Sequence, residues 1–151
     1  MEVTVYGPDG KFLSKTTTAK ALKLLDTNRA TSLSAYSIQI KQTKKDTQEM
    51  KHRIIERSHR ICYICGRRIP MQEIATVDHI IPKSRDRRAY DEKNMRCCCE
   101  RCNNDKGNMT LKEYIEHIWK NRRRYKYLKN ETIRNLEKFA ERYEKKFFAK
   151  E

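Results

Sequence analysis

Two Cys-x2-Cys pairs, Cys62/Cys65 and Cys99/Cys102, stand 33 residues apart and bracket the run Thr76-Val77-Asp78-His79-Ile80-Ile81-Pro82. Each pair turns so that two sulfurs converge, and four thiolates form the closed tetrahedral shell of structural zinc. Gly66, directly after Cys65, suits the positive φ that such a knuckle often needs. Cys97 and Cys98 are left over. The spacing leaves open that one of them replaces a ligand, or that the thiols stay free; as part of a strand Met95-Arg96-Cys97-Cys98 they read as small hydrophobes. The six cysteines would suggest disulfides in a secreted chain, whereas paired Cys-x2-Cys units in a reducing compartment read as metal ligands. No basic start leads into an apolar run, and nothing approaches the roughly 20 apolar residues of a membrane span. A soluble intracellular protein that engages no membrane is expected.

A chain of 151 residues buries one ordinary core, or two small ones that depend on a metal or on each other. The expected fold class is α+β in three parts. Residues 1–45 read as an accessory module: Val3-Thr4-Val5-Tyr6, a Pro8-Asp9-Gly10 turn and Phe12-Leu13 predict a hairpin. Thr18 then caps a helix carrying Ala21, Leu22, Leu24 and Leu25, and Tyr36-Ser37-Ile38-Gln39-Ile40 alternates as a half-buried strand does, which makes the unit ββαβ-like. Residues 46–109 hold the knuckles, entered by a helix that starts at Asp46 or Thr47 and runs through Met50, Ile54 and Ile55. Residues 110–151 form a helical arm. Thr110-Leu111-Lys112-Glu113 fits a capping box, and Leu111, Tyr114, Ile115 and Ile118 recur at helical spacing, in a helix expected to reach about Leu128. Asn130 caps a second helix through Ile133, Leu136, Ala140, Tyr143 and Phe147, giving a helical hairpin with Trp119 packed inside it.

The formal net charge is +15, divided as +5 over residues 1–45, +4 over 46–109 and +6 over 110–151. An excess this uniform raises the local concentration of polyanions and favours nucleic acid as partner. Candidate phosphate contacts are Arg85, Arg87 and Arg88 in the basic loop after Pro82, Lys106, and the run Arg122-Arg123-Arg124 with Tyr125 and Tyr127. The competing readings are a solvated loop, an ordinary surface lysine and core tyrosines. His52, His59 and His117 lack partners in the pattern and read as structural or surface residues.

Cys62-x2-Cys65, Val77-Asp78-His79-Ile80-Ile81-Pro82, Asn94 and Cys99-x2-Cys102-Asn103-x2-Lys106-Gly107 together closely resemble the zinc-containing HNH endonucleases, over about residues 60 to 109. The resemblance implies a small ββα-metal core stapled by the zinc. It gives His79 the role of general base on water, Asp78 and Asn103 the catalytic cation, and Asn94 a structural role in fixing the loop and orienting the base. Many relatives carry histidine where this chain has Asn103, and the neighbouring Asn104 is the alternative at that position. The chemistry agrees: an imidazole of ordinary pKa about 6.5 accepts a proton near neutrality. One carboxylate and one amide oxygen are hard ligands that suit Mg²⁺ or Mn²⁺ with positions left for phosphate and water.

The first 40 residues resemble, more weakly, the N-terminal module of transposon-encoded RNA-guided HNH nickases, through Val5-Tyr6-Gly7-Pro8-Asp9-Gly10-Lys11-Phe12-Leu13, Ala19-x-Ala21-Leu22-Lys23-Leu24-Leu25 and Tyr36-Ser37-Ile38-Gln39-Ile40. That module's Pro-Leu-Met-Pro-like signature is replaced by Leu13-Ser14-Lys15-Thr16, so a DNA-positioning module is expected and guide RNA is not. The reading as a whole is a metal-dependent DNA endonuclease of a phage or another mobile element, acting in the cytoplasm of a bacterium or infected host cell, alone, as a homodimer or within a larger DNA-processing complex. The alternatives are a non-catalytic zinc-ribbon module that binds nucleic acid and an HNH component of a larger assembly.

Overall fold

The structure, a computed structural model, describes residues 1–149. The chain opens with an antiparallel hairpin of β1 (Glu2–Tyr6) and β2 (Phe12–Thr17), followed by α1 (Thr18–Asp26), β3 (Ala30–Ser34) and β4 (Ser37–Ile40). Thr17 rather than Thr18 caps α1, its hydroxyl accepting from the Lys20 amide. The sheet order is β2-β1-β4-β3, with β1 and β4 parallel. The module is therefore ββαββ and not ββαβ. The extra strand, Ala30-Thr31-Ser32-Leu33-Ser34, is solvent-exposed beyond Ala30 and carries no apolar alternation that would announce it. Its place comes from pairing with β4. Helix α1 covers one face of the sheet and closes a small core of Val3, Val5, Ala21, Ala30 and Ile38.

Helix α2 (Lys44–Arg57) begins two residues before Asp46. Thr43 is the N-cap: its Oγ1 accepts from the Asp46 amide at 3.2 Å, and the Asp46 carboxylate accepts the Thr43 amide at 2.7 Å. Asp46, read from sequence as a possible first residue, is the reciprocal partner in that capping box. Those hydrogen bonds hold its carboxyl below the ordinary range. Met50 and Ile54 of α2 then pack on Met95 and Val77.

The centre of the molecule is β5 (Ala75–His79) paired antiparallel with β6 (Met95–Cys99), followed at once by α3 (Glu100–Lys106). Helix α4 (Leu111–Lys120) carries the expected capping box of Thr110 and Glu113, and packs against α5 (Asn130–Phe148) as the expected hairpin. Helix α4 stops at Lys120, well short of Leu128. The following turns are pinned by Arg122, whose guanidinium donates to the Tyr125 carbonyl at 2.5 Å, to the Leu128 carbonyl at 2.6 Å and to Asn130 Oδ1 at 2.6 Å. That last bond takes Asn130 away from capping, and Lys129 occupies the N-cap. Trp119 does not fill the hairpin: it lies at the rim, 36% exposed, and its Nε1 donates to Glu137 across the helix pair. One core unites the knuckles with the arm, running from Cys62, Ile64 and Ile69 through Ile80 and Cys97 to Leu111, Tyr114, Ile118, Tyr125, Ile133 and Leu136.

Candidate active site

The first knuckle is a tight turn in which the Gly66 amide bonds the Cys62 carbonyl at 2.9 Å, and Gly66 takes φ +70°, as the sequence suggests. Tyr63 ties this turn to the hairpin, its amide donating to the Cys97 carbonyl at 3.0 Å. The second knuckle straddles the junction of β6 and α3, with Cys99 at the N-cap and Cys102 in the first turn. The result is that Sγ of Cys62, Cys65, Cys99 and Cys102 all lie within 4.8 Å of one another. Zn–S bonds of about 2.3 Å in a tetrahedron need sulfurs about 3.8 Å apart, so the cluster fits zinc with a small contraction. Hydrogen bonds from Cys102, Cys65 and Cys98 push the Cys62 thiol far down, whereas the same contact with Cys62 pushes Cys102 far up. Four thiols crowded this way share protons; a divalent cation removes that conflict by taking all four as thiolates. Cys97 and Cys98 are buried outside the set, although Cys98 Sγ comes to 3.7 Å from Cys62 Sγ.

Strand alternation places Thr76 and Asp78 on the side of β5 that faces α3. Asp78 is 5% exposed, and its carboxylate accepts from Tyr63 Oη at 2.5 Å and from the Lys106 ammonium at 3.1 and 3.2 Å. Burial raises its pKa from the ordinary value, against the lowering effects of Lys106 and Tyr63. Lys106, a candidate for the DNA surface, is instead fully buried and also donates to the His79 carbonyl at 2.8 Å. Beside this pair Asn103 donates from Nδ2 to Thr76 Oγ1 at 2.9 Å, and that hydroxyl spends its own proton on the Cys98 carbonyl at 2.8 Å. A hydroxyl has one proton, so Thr76 requires the amide nitrogen of Asn103 and turns its oxygen, Oδ1, the other way.

His79 is the last residue of β5, half-buried, with its ring edge-on to Tyr90 at a centroid separation of 6.5 Å. Burial, with Lys83, Lys106 and Lys51 adding repulsion, pushes its pKa down to about 4. Its imidazole is neutral at physiological pH. Among the described residues no hydrogen bond joins the His79 ring to Asp78 or Asn103; the link is the Lys106 ammonium, which grips the Asp78 side chain and the His79 backbone together.

Asn94 is fully buried and holds the chain just after His79. Its Oδ1 accepts from the Ile81 amide at 2.9 Å, its Nδ2 donates to the carbonyls of Ile81 and Ala89 at 2.8 and 3.0 Å, and its own carbonyl accepts from the Ile80 amide at 2.9 Å. Tyr143 of α5 completes the set, its hydroxyl donating to Asn94 Oδ1 at 3.0 Å. Asn94→Ala is expected to lower stability by on the order of 3 kcal/mol, since it leaves buried backbone groups of Ile81 and Ala89 without partners. Chemical denaturation of the zinc-loaded protein measures this, and a loss below about 1 kcal/mol would remove Asn94 from that role.

The remaining basic candidates divide. Arg85 pairs with Glu113 at 3.1 Å, Arg88 with Asp86 at 2.9 Å and Arg124 with Asp105 at 2.7 Å, and Arg122 is spent on the interhelical turn. Arg123 is exposed. The side chain of Arg87 lies outside the described residues. Sequence reasoning assigned no site role to Tyr63, Thr76 or Tyr90, and it read Tyr143 from its helical spacing as packing alone, without its bond to Asn94. Thr76 was legible in part, because it shares the β5 face of Asp78.

A two-stranded antiparallel hairpin running into a helix and closed by four thiols at the joint defines a ββα-metal domain. Residues 62–109, about a third of the chain, match the model of the family described as HNH endonuclease, so the chain carries a nuclease-family HNH domain over that span. No curated protein and no solved structure matches the chain.

Proposed function

We propose that this protein is a metal-dependent endonuclease that hydrolyses DNA phosphodiester bonds, with His79 as general base and Asp78 and Asn103 as the protein ligands of a catalytic Mg²⁺ or Mn²⁺. What carries the reading is a neutral, half-buried imidazole at the end of β5, in the match to the HNH family. A neutral imidazole accepts a proton from water; the bound cation would supply charge neutralisation at the scissile phosphate. Asn103 fits a hard cation, since its amide oxygen is turned away from Thr76 and makes no protein hydrogen bond among the described residues. Asp78 supplies the charge, held in place by Tyr63 and Lys106 and keeping lone-pair capacity beyond those contacts. The basic composition supports DNA as the substrate, and a mobile-element origin follows from the family resemblance.

One observation favours the second reading, a zinc-stapled module that binds nucleic acid without cutting it: both Asp78 oxygens already have protein partners. A plasmid assay separates the two. Cleavage is expected with Mg²⁺ or Mn²⁺, to stop on brief EDTA treatment before the protein unfolds, and not to return with Zn²⁺ alone. Asp78→Ala/Asn103→Ala should abolish it. Equal cutting by that variant in excess EDTA would sink the cation assignment, and binding without cutting under every metal would establish the second reading.

A further inference from the structure

The side chains that surround His79 come from further afield than the segment matching the HNH family. Tyr90, whose ring meets the His79 ring edge-on at 6.5 Å, carries on its face the guanidinium of Arg29, with Cζ 5.4 Å from the ring centroid. Arg29 belongs to the N-terminal module, in the turn between α1 and β3. It is exposed, and among the described residues its guanidinium makes no hydrogen bond and no ion pair. Most of the other arginines near the hairpin differ: Arg85, Arg88, Arg122 and Arg124 are all engaged with carboxylates or backbone carbonyls. Two more cations close in on the same ring. Lys51 of α2 and Lys83 after Pro82 are exposed, have no carboxylate partner among the described residues, and stand near enough for their charge to bear on His79.

A guanidinium held over an aromatic face is positioned by the ring while its fork of N–H groups stays available to a ligand. Such a fork matches the two oxygens of a phosphate. The distance from the His79 ring to Arg29 Cζ is at most the sum of the two ring separations, a span that covers no more than a few nucleotides of a duplex that rises about 3.4 Å per base pair along its axis.

We infer that Arg29 grips a phosphate of the DNA within a few nucleotides of the one cut at His79, with Lys51 and Lys83 completing a cationic rim around the site. The N-terminal module is then part of the substrate-binding surface. This rests on the nuclease reading above, and the test separates the two. Binding of a labelled 20-base-pair DNA duplex is followed by fluorescence anisotropy without divalent cation, across a salt series, for the parent, Arg29→Ala and Arg29→Lys, each with zinc content and melting checked; plasmid cleavage is measured in parallel. Arg29→Ala should keep the parent's zinc content and melting, bind about 10-fold more weakly, and lower the slope of log affinity against log salt by about one, as loss of one phosphate contact does. Arg29→Lys should keep most of that slope, since the charge remains, yet cleave more slowly than the parent because the fork is gone. An Arg29→Ala protein with parental slope and parental cleavage overturns the inference and leaves the nuclease reading standing. If the slope falls as expected while even the parent never cuts, the phosphate contact holds and the nuclease reading fails. An equal drop in slope for Arg29→Ala and for a control at an exposed cation at the opposite corner of the same sheet, Lys15→Ala, overturns the inference, because the effect is then bulk charge.

Discussion

Cys99→Ser/Cys102→Ser is expected to yield a protein without zinc and without a cooperative fold from α2 onward. Structural zinc contributes about 10–16 kcal/mol in small domains, a figure that covers the whole of a typical stability of about 5–15 kcal/mol. The geometry explains why nothing else takes its place. Cys62 and Cys102 are completely buried in the same core as Leu111, Tyr114 and Ile118, so a knuckle that opens carries that core with it. The sheet of β1 to β4 has its own cluster around Val3, Val5 and Ile38 and should keep its strand signal. Elemental analysis of the parent should give about one zinc per chain, and circular dichroism with thermal melting should show the variant's helices from α2 onward lost. A folded, zinc-free double variant with the parent's melting temperature would end the structural role of the metal.

His79→Ala is expected to leave zinc, fold and DNA binding close to those of the parent and to slow cleavage by roughly 10²- to 10⁴-fold, the scale of a lost general base. Since burial and the surrounding lysines push its pKa down to about 4, the imidazole is already unprotonated in mildly acidic solution. The acid limb of the cleavage profile should therefore fall below the ordinary imidazole value of about 6.5. The same shift has a stability counterpart with a definite sign. Between about 4 and about 6.5 the unfolded chain holds a proton at this residue that the folded chain does not, so acidification through that window favours unfolding. A variant that cuts at the parental rate, with contaminating nuclease excluded, would place the base elsewhere.

How much of this was legible in the sequence depended on the range of the interaction. The cysteine spacing announced the cluster because metal chemistry restricts ligand type and local turn geometry alike. The α4 cap was read from Thr110 and Glu113, which satisfy each other three residues apart. The same box at Thr43 and Asp46 was overlooked because its acid is aspartate, and the start of α2 was displaced as a result. Strand β3 could not be read at all, since Thr31, Ser32 and Ser34 are polar and exposed and are held only by β4. At the site the error was one of depth. Lys106 looks like a surface lysine until α3 folds onto β5, and only then does its ammonium find Asp78 and the His79 carbonyl. The partners of Asn94 tell the same story, because Tyr143 lies 49 positions along the chain.

The shared core between knuckles and helical arm limits how this protein can be cut down or recombined. A designer who excised the 48 residues of the family match would keep every cysteine of the cluster, His79 and Asn94. That fragment would lack Leu111, Tyr114, Ile118, Tyr125, Ile133 and Leu136, which complete the apolar interior, and Tyr143, which closes the bonds of Asn94. The chemistry is written in one stretch of chain and its solvent exclusion in another. Transplanting the HNH-like segment into a new host protein therefore means carrying α4 and α5 as cargo, or replacing them with a surface that fills the same hollow.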